Sequence, residues 1–291
     1  MRTLSVVMPV YNEADILPYS LSAICNSVDE FVIVDGGVRG PSTDNTREVA
    51  EKICGDRLKY ITGVFSESNL WDRRGQVHAG LDVVTSDMVM LLSADMLITS
   101  SERLRDVIDR NTPSAVYCSY VEFWLSVNYV RTPKLHNPGR RDLGLTTFLL
   151  VQESAAYDFD SAIMLGADII TLSLEVVNHH LGWIRPFERQ VQKHKRHVQE
   201  GHWGELGKRL LNSEPEVLDA WAIEHVLMYP NAPYVRYAAG DASIPIALSE
   251  MSYADGSEEV IGAFEKEYGL PYETVLAAFE GTVEGRFGLS K

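Results

Sequence analysis

Basic residues are scarce in this chain. Its 291 residues include 26 Lys and Arg against 41 Asp and Glu, for a formal net charge of −15. A protein this acidic is not built to coat nucleic acid or an anionic membrane. Cysteine is nearly absent: Cys25, Cys54 and Cys118 are scattered and odd in number, which implies neither a disulfide framework nor a zinc knuckle. No apolar run approaches the ~20 residues of a membrane-spanning helix, and the greasiest stretch, 88–92, is strand-sized. The first residues, MRTLSVVMPVYNE, hold one arginine and a short apolar run, unlike a secretory leader. These absences lead us to expect a reduced, cytoplasmic protein. Internal repeats and Gly/Ser linkers are also missing. What remains is an ordinary globular balance, 45% hydrophobic and 23% charged, in a chain long enough for a full core.

The first half alternates two periodicities. Unbroken apolar runs at 4–10, 31–34, 58–63 and 88–92 suit strands buried on both faces of a parallel sheet. Helical spacing fills the gaps: 16–24 with Asn12 or Asp15 as a cap, 48–52 behind Ser42, Thr43 or Asp44, 76–84, and 102–109 behind Ser100 or Ser101. The β-α-β-α-β-α-β order predicts an α/β fold with an open, mostly parallel sheet flanked by helices and right-handed crossovers. The second half reads as strands at 115–124, 148–153 and 169–177, a loop at 132–144, and helices at 188–200, 214–228, 257–267 and 272–280. We expect a catalytic domain over 1–209 and a smaller, acidic helical region over 210–291.

Charge is uneven. Residues 210–291 carry 14 acidic and 4 basic side chains, whereas 185–209 carry 7 basic and 3 acidic. Arg185, Arg189, Lys193 and Arg196 recur at helical spacing and share a face, suited to an anion or simply to solvent. Five of the eight histidines (His179, His180, His194, His197 and His202) lie within 24 residues, without cysteines and without a common zinc spacing. The last three read as surface or acceptor-side groups.

In an open α/β sheet, ligands bind beyond the carboxyl ends of the strands. The unusual residues sit there: Pro9-Val10-Tyr11-Asn12-Glu13 after the first strand, Asp35-Gly36-Gly37 and then Ser42-Thr43-Asp44-Asn45-Thr46 after the second, and Ser93-Ala94-Asp95 after the fourth. Each alone is an ordinary turn. In this order and spacing, with Val7-Met8 and Ile33-Val34 before the first two, the chain resembles the family 2 glycosyltransferases of GT-A fold over residues 3–110. His179-His180-Leu181-Gly182-Trp183-Ile184-Arg185-Pro186 is similar to a later stretch of some members.

The resemblance implies a nucleotide-sugar donor, UDP-linked, and a Mn²⁺ or Mg²⁺ ion that neutralises the leaving diphosphate. It implies that Asp35 accepts the uracil N3–H, that the main chain near Pro9 and Tyr11 packs on the base, and that Glu13 reaches the ribose. It also puts an arginine, Arg73 or Arg74, at the start of the third helix near the nucleotide. With a diphosphate implied, the helix face of Arg185 suits that diphosphate or an anionic acceptor. Asp95 holds the last position of the family's Asp-x-Asp motif and is assigned to the metal or the diphosphate. Ser93 stands where the first acid belongs, which leaves a hydroxyl for ribose and room for another metal ligand. His180, or His179, is placed to supply it.

Inversion at the anomeric carbon needs a general base. Asp160 and Asp158 lead the candidates, ahead of Glu153 and Asp168. A retaining enzyme with a histidine metal ligand is the alternative, as is a non-catalytic sugar-nucleotide or glycan-binding module. Nucleotidyl transfer lacks its Gly-rich basic loop, and a dehydrogenase lacks G-x-G-x-x-G. The acceptor is left open among glycan, lipid-linked, protein and modified nucleobase hydroxyls, and an oligomer through the acidic helices is possible.

Overall fold

A computed structural model describes residues 2–37, 40–65, 74–99, 101–111, 115–124, 126–131, 145–151, 156–158, 163–165, 170–182, 185, 187–199, 201, 203–228 and 234–236. The chain forms two compact units, Met1–Val121 with Gly144–Leu181, and Glu122–Leu143 with Gly182–Lys291. In the first lie β1 (Leu4–Val10), α1 (Leu17–Ile24), β2 (Glu30–Gly37), α2 (Thr46–Cys54), β3 (Leu58–Val64), α3 (Arg74–Leu81), β4 (Met88–Leu91), β5 (Met96–Thr99) and α4 (Ser101–Asn111). They are followed by β6 (Ala115–Trp124), which runs on into the second unit, where β7 (Ser126–Arg131) follows. Back in the first come β8 (Leu145–Val151), β9 (Ala156–Asp158), β10 (Ile163–Leu165) and β11 (Ile170–His180). The second unit ends, among the described residues, with α5 (Phe187–Gln199), α6 (Gly204–Leu211), α7 (Pro215–Met228) and β12 (Tyr234–Arg236).

Four strands of the first unit are parallel in the order β3-β2-β1-β4, and β8 joins β4 antiparallel. β1 is buried at every position, because helices cover both faces of the sheet and no alternation is needed. Helix α3 packs on β1 and β2, on the face of Val7, Val32, Val34, Val89 and Leu91. A Cβ on Gly80 would run into Val7 Cγ1 and stand 3.1 Å from Val34 Cγ2, so a glycine sets how closely that helix lies. Helix α1 packs on α2, and α2 on β3.

The amino ends of the strands are tied by Glu30, which is 8% exposed. It accepts from Ser5 Oγ (2.6 Å), from Thr85 N (3.1 Å) and Oγ1 (2.8 Å), and pairs with Lys59. Burial alone would raise its pKa; the Lys59 ammonium and these hydrogen bonds outweigh it and hold the carboxyl at about 2.

Among the described residues the β-α-β-α-β-α-β order of the first half is present, with two local corrections, whereas the helices expected at 257–267 and 272–280 lie outside the described residues. Neither Asn12 nor Asp15 caps α1: its N-cap is Ile16, without a side-chain hydrogen bond, and Pro18 stands in the first turn. Helix α2 begins after Asn45, whose side chain makes no cap bond; of the expected caps, Asp44 accepts the first helical amide, Thr46 N, while the Ser42 hydroxyl is engaged with Asp35 and Asn12. The antiparallel pair β5–β11 was not expected from the apolar runs and places His180 opposite Met96.

In the second unit, α5 packs on α6 and α7, Lys195 pairs with Asp219 at 2.5 Å, and Trp203 meets Trp221 edge-on with ring centroids 5.3 Å apart. His194, read from sequence as a surface group, is 3% exposed instead. Its place on the apolar side of α5, beside Gln190, Val191 and Val198, explains this. Its Nδ1–H donates to Gln190 O at 2.8 Å. Burial pushes its pKa down to about 4.

Two predictions follow from this packing. Gly80→Ala gains up to about 1 kcal/mol of helix propensity but forces α3 off the sheet at a cost of about 1–3 kcal/mol; the thermal midpoint falls by a few degrees, read by circular dichroism. His194 is neutral when folded and protonated when unfolded below pH ~6.5, so its contribution is complete above that pH and is lost as pH falls toward 4. Urea unfolding at pH 7.5 and 4.5 will show the parent losing about 2–3 kcal/mol more than His194→Gln.

Candidate functional site

The sheet opens at its carboxyl edge for a reason written in β1. Thr3 O accepts Met88 N and Val7 O accepts Leu92 N, so odd positions of β1 turn their main-chain groups toward β4. Pro9 is the next odd position and has no N–H, and the β1–β4 register ends at Val7 and Leu91. On its other side β1 stays paired with β2 to the end, Val10 opposite Asp35. The crevice therefore opens between β1 and β4, at the point where the strand order reverses.

The loops after β1 and β2 are stitched to each other. Asn12 has φ +56, a left-handed conformation that Asn tolerates. Its N–H donates to Ser42 Oγ (2.8 Å) and its Oδ1 accepts Thr43 N (2.8 Å). Glu13 N donates to Thr46 Oγ1 (2.9 Å) and Ala14 N to Asp44 Oδ2 (3.1 Å). Asp44 Oδ1 in turn accepts Thr46 N at 3.1 Å. These bonds satisfy main-chain donors that no regular structure serves. Asp35, 2% exposed, stands beneath them: it accepts Ser42 N, Ser42 Oγ and, at 2.9 Å, the Tyr60 hydroxyl. Burial, and then the hydrogen bond to Asp35, push the Tyr60 phenol well above its usual range.

Glycines 36 and 37 make room for aromatic rings. The Tyr11 ring lies on Gly37, where a Cβ would stand 3.4 Å from Cδ2. On Gly36 a Cβ would collide with Gly63 O and come within 2.8 Å of the Phe65 ring. From α3, Gln76 Nε2 reaches three main-chain oxygens, Val10 O (3.4 Å), Val34 O (3.1 Å) and Gly36 O (2.9 Å), and so braces the ends of β1 and β2.

After β4, Ser93 O accepts Met96 N at 3.0 Å and closes a turn. Ser20 of α1 donates to Ala94 O, and Leu181 N donates to Asp95 O at 2.7 Å. Asp95 is 9% exposed, and His180 Nε2 lies 3.5 Å from its Oδ2. The end of β11 thus brings His180, one of the two histidines that the resemblance implied, to Asp95. Among the described residues no group of three or more His, Cys, Asp and Glu could hold a metal ion. The pair nevertheless suits one: hard oxygen and imidazole donors 3.5 Å apart are near the ~3 Å between neighbouring ligands of an octahedral ion with ~2.1 Å bonds.

Of the other sequence candidates, Pro9 is buried in β1, and Tyr11, Glu13 and Ser93 are half-buried at the strand ends. Arg74 begins α3. Arg185 belongs to the second unit and is 5% exposed. Asp158 ends β9, paired with Ile163 of β10. Arg73, Glu153, Asp160 and Asp168 lie outside the described residues. Sequence reading missed Tyr60, Gln76 and Ser20. The first sits in the weakest of the four apolar runs, and nothing in the local pattern marks the other two.

A 102-residue stretch is 30% identical to the undecaprenyl-phosphate 4-deoxy-4-formamido-L-arabinose transferase of Pectobacterium carotovorum subsp. carotovorum (strain PC1), covering 33% of this chain and 30% of that protein. The chain thus matches less than a third of the length of such curated relatives. Among solved structures, S. aureus TarS 1–349 in complex with UDP is 17% identical, over 78% of this chain and 71% of that one, with a TM-score of 0.43. Glucosyl-3-phosphoglycerate synthase from Mycobacterium tuberculosis, in complex with Mn²⁺, UDP and phosphoglyceric acid, is 18% identical over 68% and 78%, with a TM-score of 0.42. The model for glycosyl transferase family 2 matches residues 5–164, more than half of the chain and all four parallel strands. The chain belongs to glycosyl transferase family 2.

Proposed function

We propose that this chain is a metal-dependent glycosyltransferase that moves a sugar from a UDP-linked donor to an acceptor hydroxyl with inversion. The observation that carries this reading is the meeting of Asp95 and His180 beside the opening between β1 and β4. Asp95 Oδ2 and His180 Nε2 would hold Mn²⁺ or Mg²⁺. When bound, such an ion neutralises the charge that collects on the departing diphosphate. Tyr11, laid flat on Gly37, offers an aromatic face to the base. Glu13 and the Ser93 hydroxyl serve the ribose, and Arg74 the diphosphate. The acceptor proton goes to one carboxylate of Asp160, Asp158 or Glu153.

Glycan, lipid-linked, protein and modified-nucleobase acceptors all satisfy this chemistry; the names of the matched relatives favour the lipid-linked class. No helix among the described residues is long and apolar enough to cross a membrane. The acidic region 210–291 is assigned to the acceptor side or to a subunit interface, and the sparse cysteines to life in the cytoplasm. His180 beside Asp95 also favours a second reading, a retaining enzyme of the same donor class.

The test is a donor screen that reads released nucleotide from UDP-, GDP- and dTDP-sugars with Mn²⁺ or Mg²⁺. A UDP-sugar should be turned over, and EDTA should stop it. Asp95→Ala should lower the rate by about 100-fold or more, and His180→Ala by about 10-fold with a higher metal requirement. A parent rate in Asp95→Ala refutes the role given to Asp95, and nucleotide binding without turnover refutes the enzyme. The anomeric configuration of the product, read by NMR, separates inversion from retention.

A further inference from the structure

The resemblance to the family gives Asp35 the task of reading the nucleobase. Its surroundings point elsewhere. Asp35 Oδ1 takes Ser42 N at 2.9 Å and Ser42 Oγ at 2.5 Å; Oδ2 takes Tyr60 Oη at 2.9 Å and shares Ser42 N at 3.1 Å. Each oxygen thus receives two contacts, as many as a carboxylate oxygen has lone pairs. The residue is 2% exposed, so little of it meets anything outside the protein. Turning the carboxylate toward a ligand would strip partners from the Tyr60 hydroxyl and from Ser42, and buried donors without acceptors are costly.

The bonds form a relay. Tyr60 Oη donates to Asp35, Ser42 Oγ donates to Asp35 and accepts Asn12 N, and Asn12 Oδ1 accepts Thr43 N. Tyr60 belongs to β3, Asp35 to β2 and Asn12 to the loop after β1, so the relay ties three parts of the sheet edge. It ends on the residue with φ +56, between Tyr11 and Glu13.

We propose that Asp35 is a positioning residue, held by Tyr60 and Ser42, that clamps the loop after β1 in its ligand-ready shape and does not itself read the base. The nucleobase edge is then met by groups other than this carboxylate. This rests on the nucleotide-sugar reading above for its ligand, but the clamp itself does not.

The experiment compares the parent, Asp35→Asn and Tyr60→Phe. The probes are UDP and N3-methyl-UDP, which lacks the N3–H, each titrated calorimetrically with Mn²⁺. A clamp weakens both probes together: the loss on Asp35→Asn for UDP differs less than threefold from that for N3-methyl-UDP, and Tyr60→Phe behaves likewise. A loss threefold or more greater for UDP overturns the proposal, because only a reader of N3–H couples to that hydrogen. Hydrogen exchange gives the second arm. In Tyr60→Phe the amides of Asn12, Glu13, Ala14 and Thr43 should exchange about tenfold faster or more, while Val6–Met8 of β1 keep the parent rate. Unchanged loop exchange overturns the clamp. Should Asp35→Asn fail to fold, Tyr60→Phe carries both arms. If the parent binds neither diphosphate, the nucleotide reading fails and the exchange arm alone decides the clamp.

Discussion

The carboxyl edge of this sheet depends on a hydrogen bond that cannot form. Val7 still bonds Leu92, but Pro9 has nothing to donate, and β1 and β4 part company there. Everything with chemical character collects around that parting. Tyr11, Asn12 and Glu13 follow β1 within four residues of Pro9, and Ser93, Ala94 and Asp95 follow β4.

An open edge exposes main chain that has lost its partners, and the molecule answers with side chains. Ser42 and Thr46 sew one loop to another, as Asn12 does through Thr43 N, and Asp44 both joins that stitching and accepts the first amide of α2. Gln76 gathers three carbonyl oxygens with one amide, and Ser20 secures Ala94. Polar residues close to the ligand side are thereby divided between those that hold the edge and those left to act. Asp95 and His180, contributed by elements far apart in sequence, are brought together by the β5–β11 pairing.

Much of this was legible in the sequence. Continuous apolar runs identified the parallel strands because both faces of the sheet are covered, and polar residues at three strand ends located the crevice. The approach of His180 to Asp95 came from the resemblance, which implies a later histidine beside the acid that follows β4. The partners of Asp35 were not: Tyr60 looks like one more apolar strand position, and Ser42 looks like a cap. Such roles are set by cross-strand register, Tyr60 beside Ile33 and Thr62 beside Asp35, which no local spacing encodes. His194 misled for a similar reason, since its charge potential suggested solvent while its helix turns it toward Val191 and Val198.

Phe65 lies over Gly36 and Gly63 and fills the space that a side chain at position 36 would need. Those three positions therefore make one unit of inheritance. An engineer wishing to plant an acid next to Asp35 must shrink the phenyl ring and shift the β3 backbone in the same step, because the collision is with a carbonyl oxygen as well as with the ring. Any natural variant with a larger residue there should carry its compensation at the far end of β3.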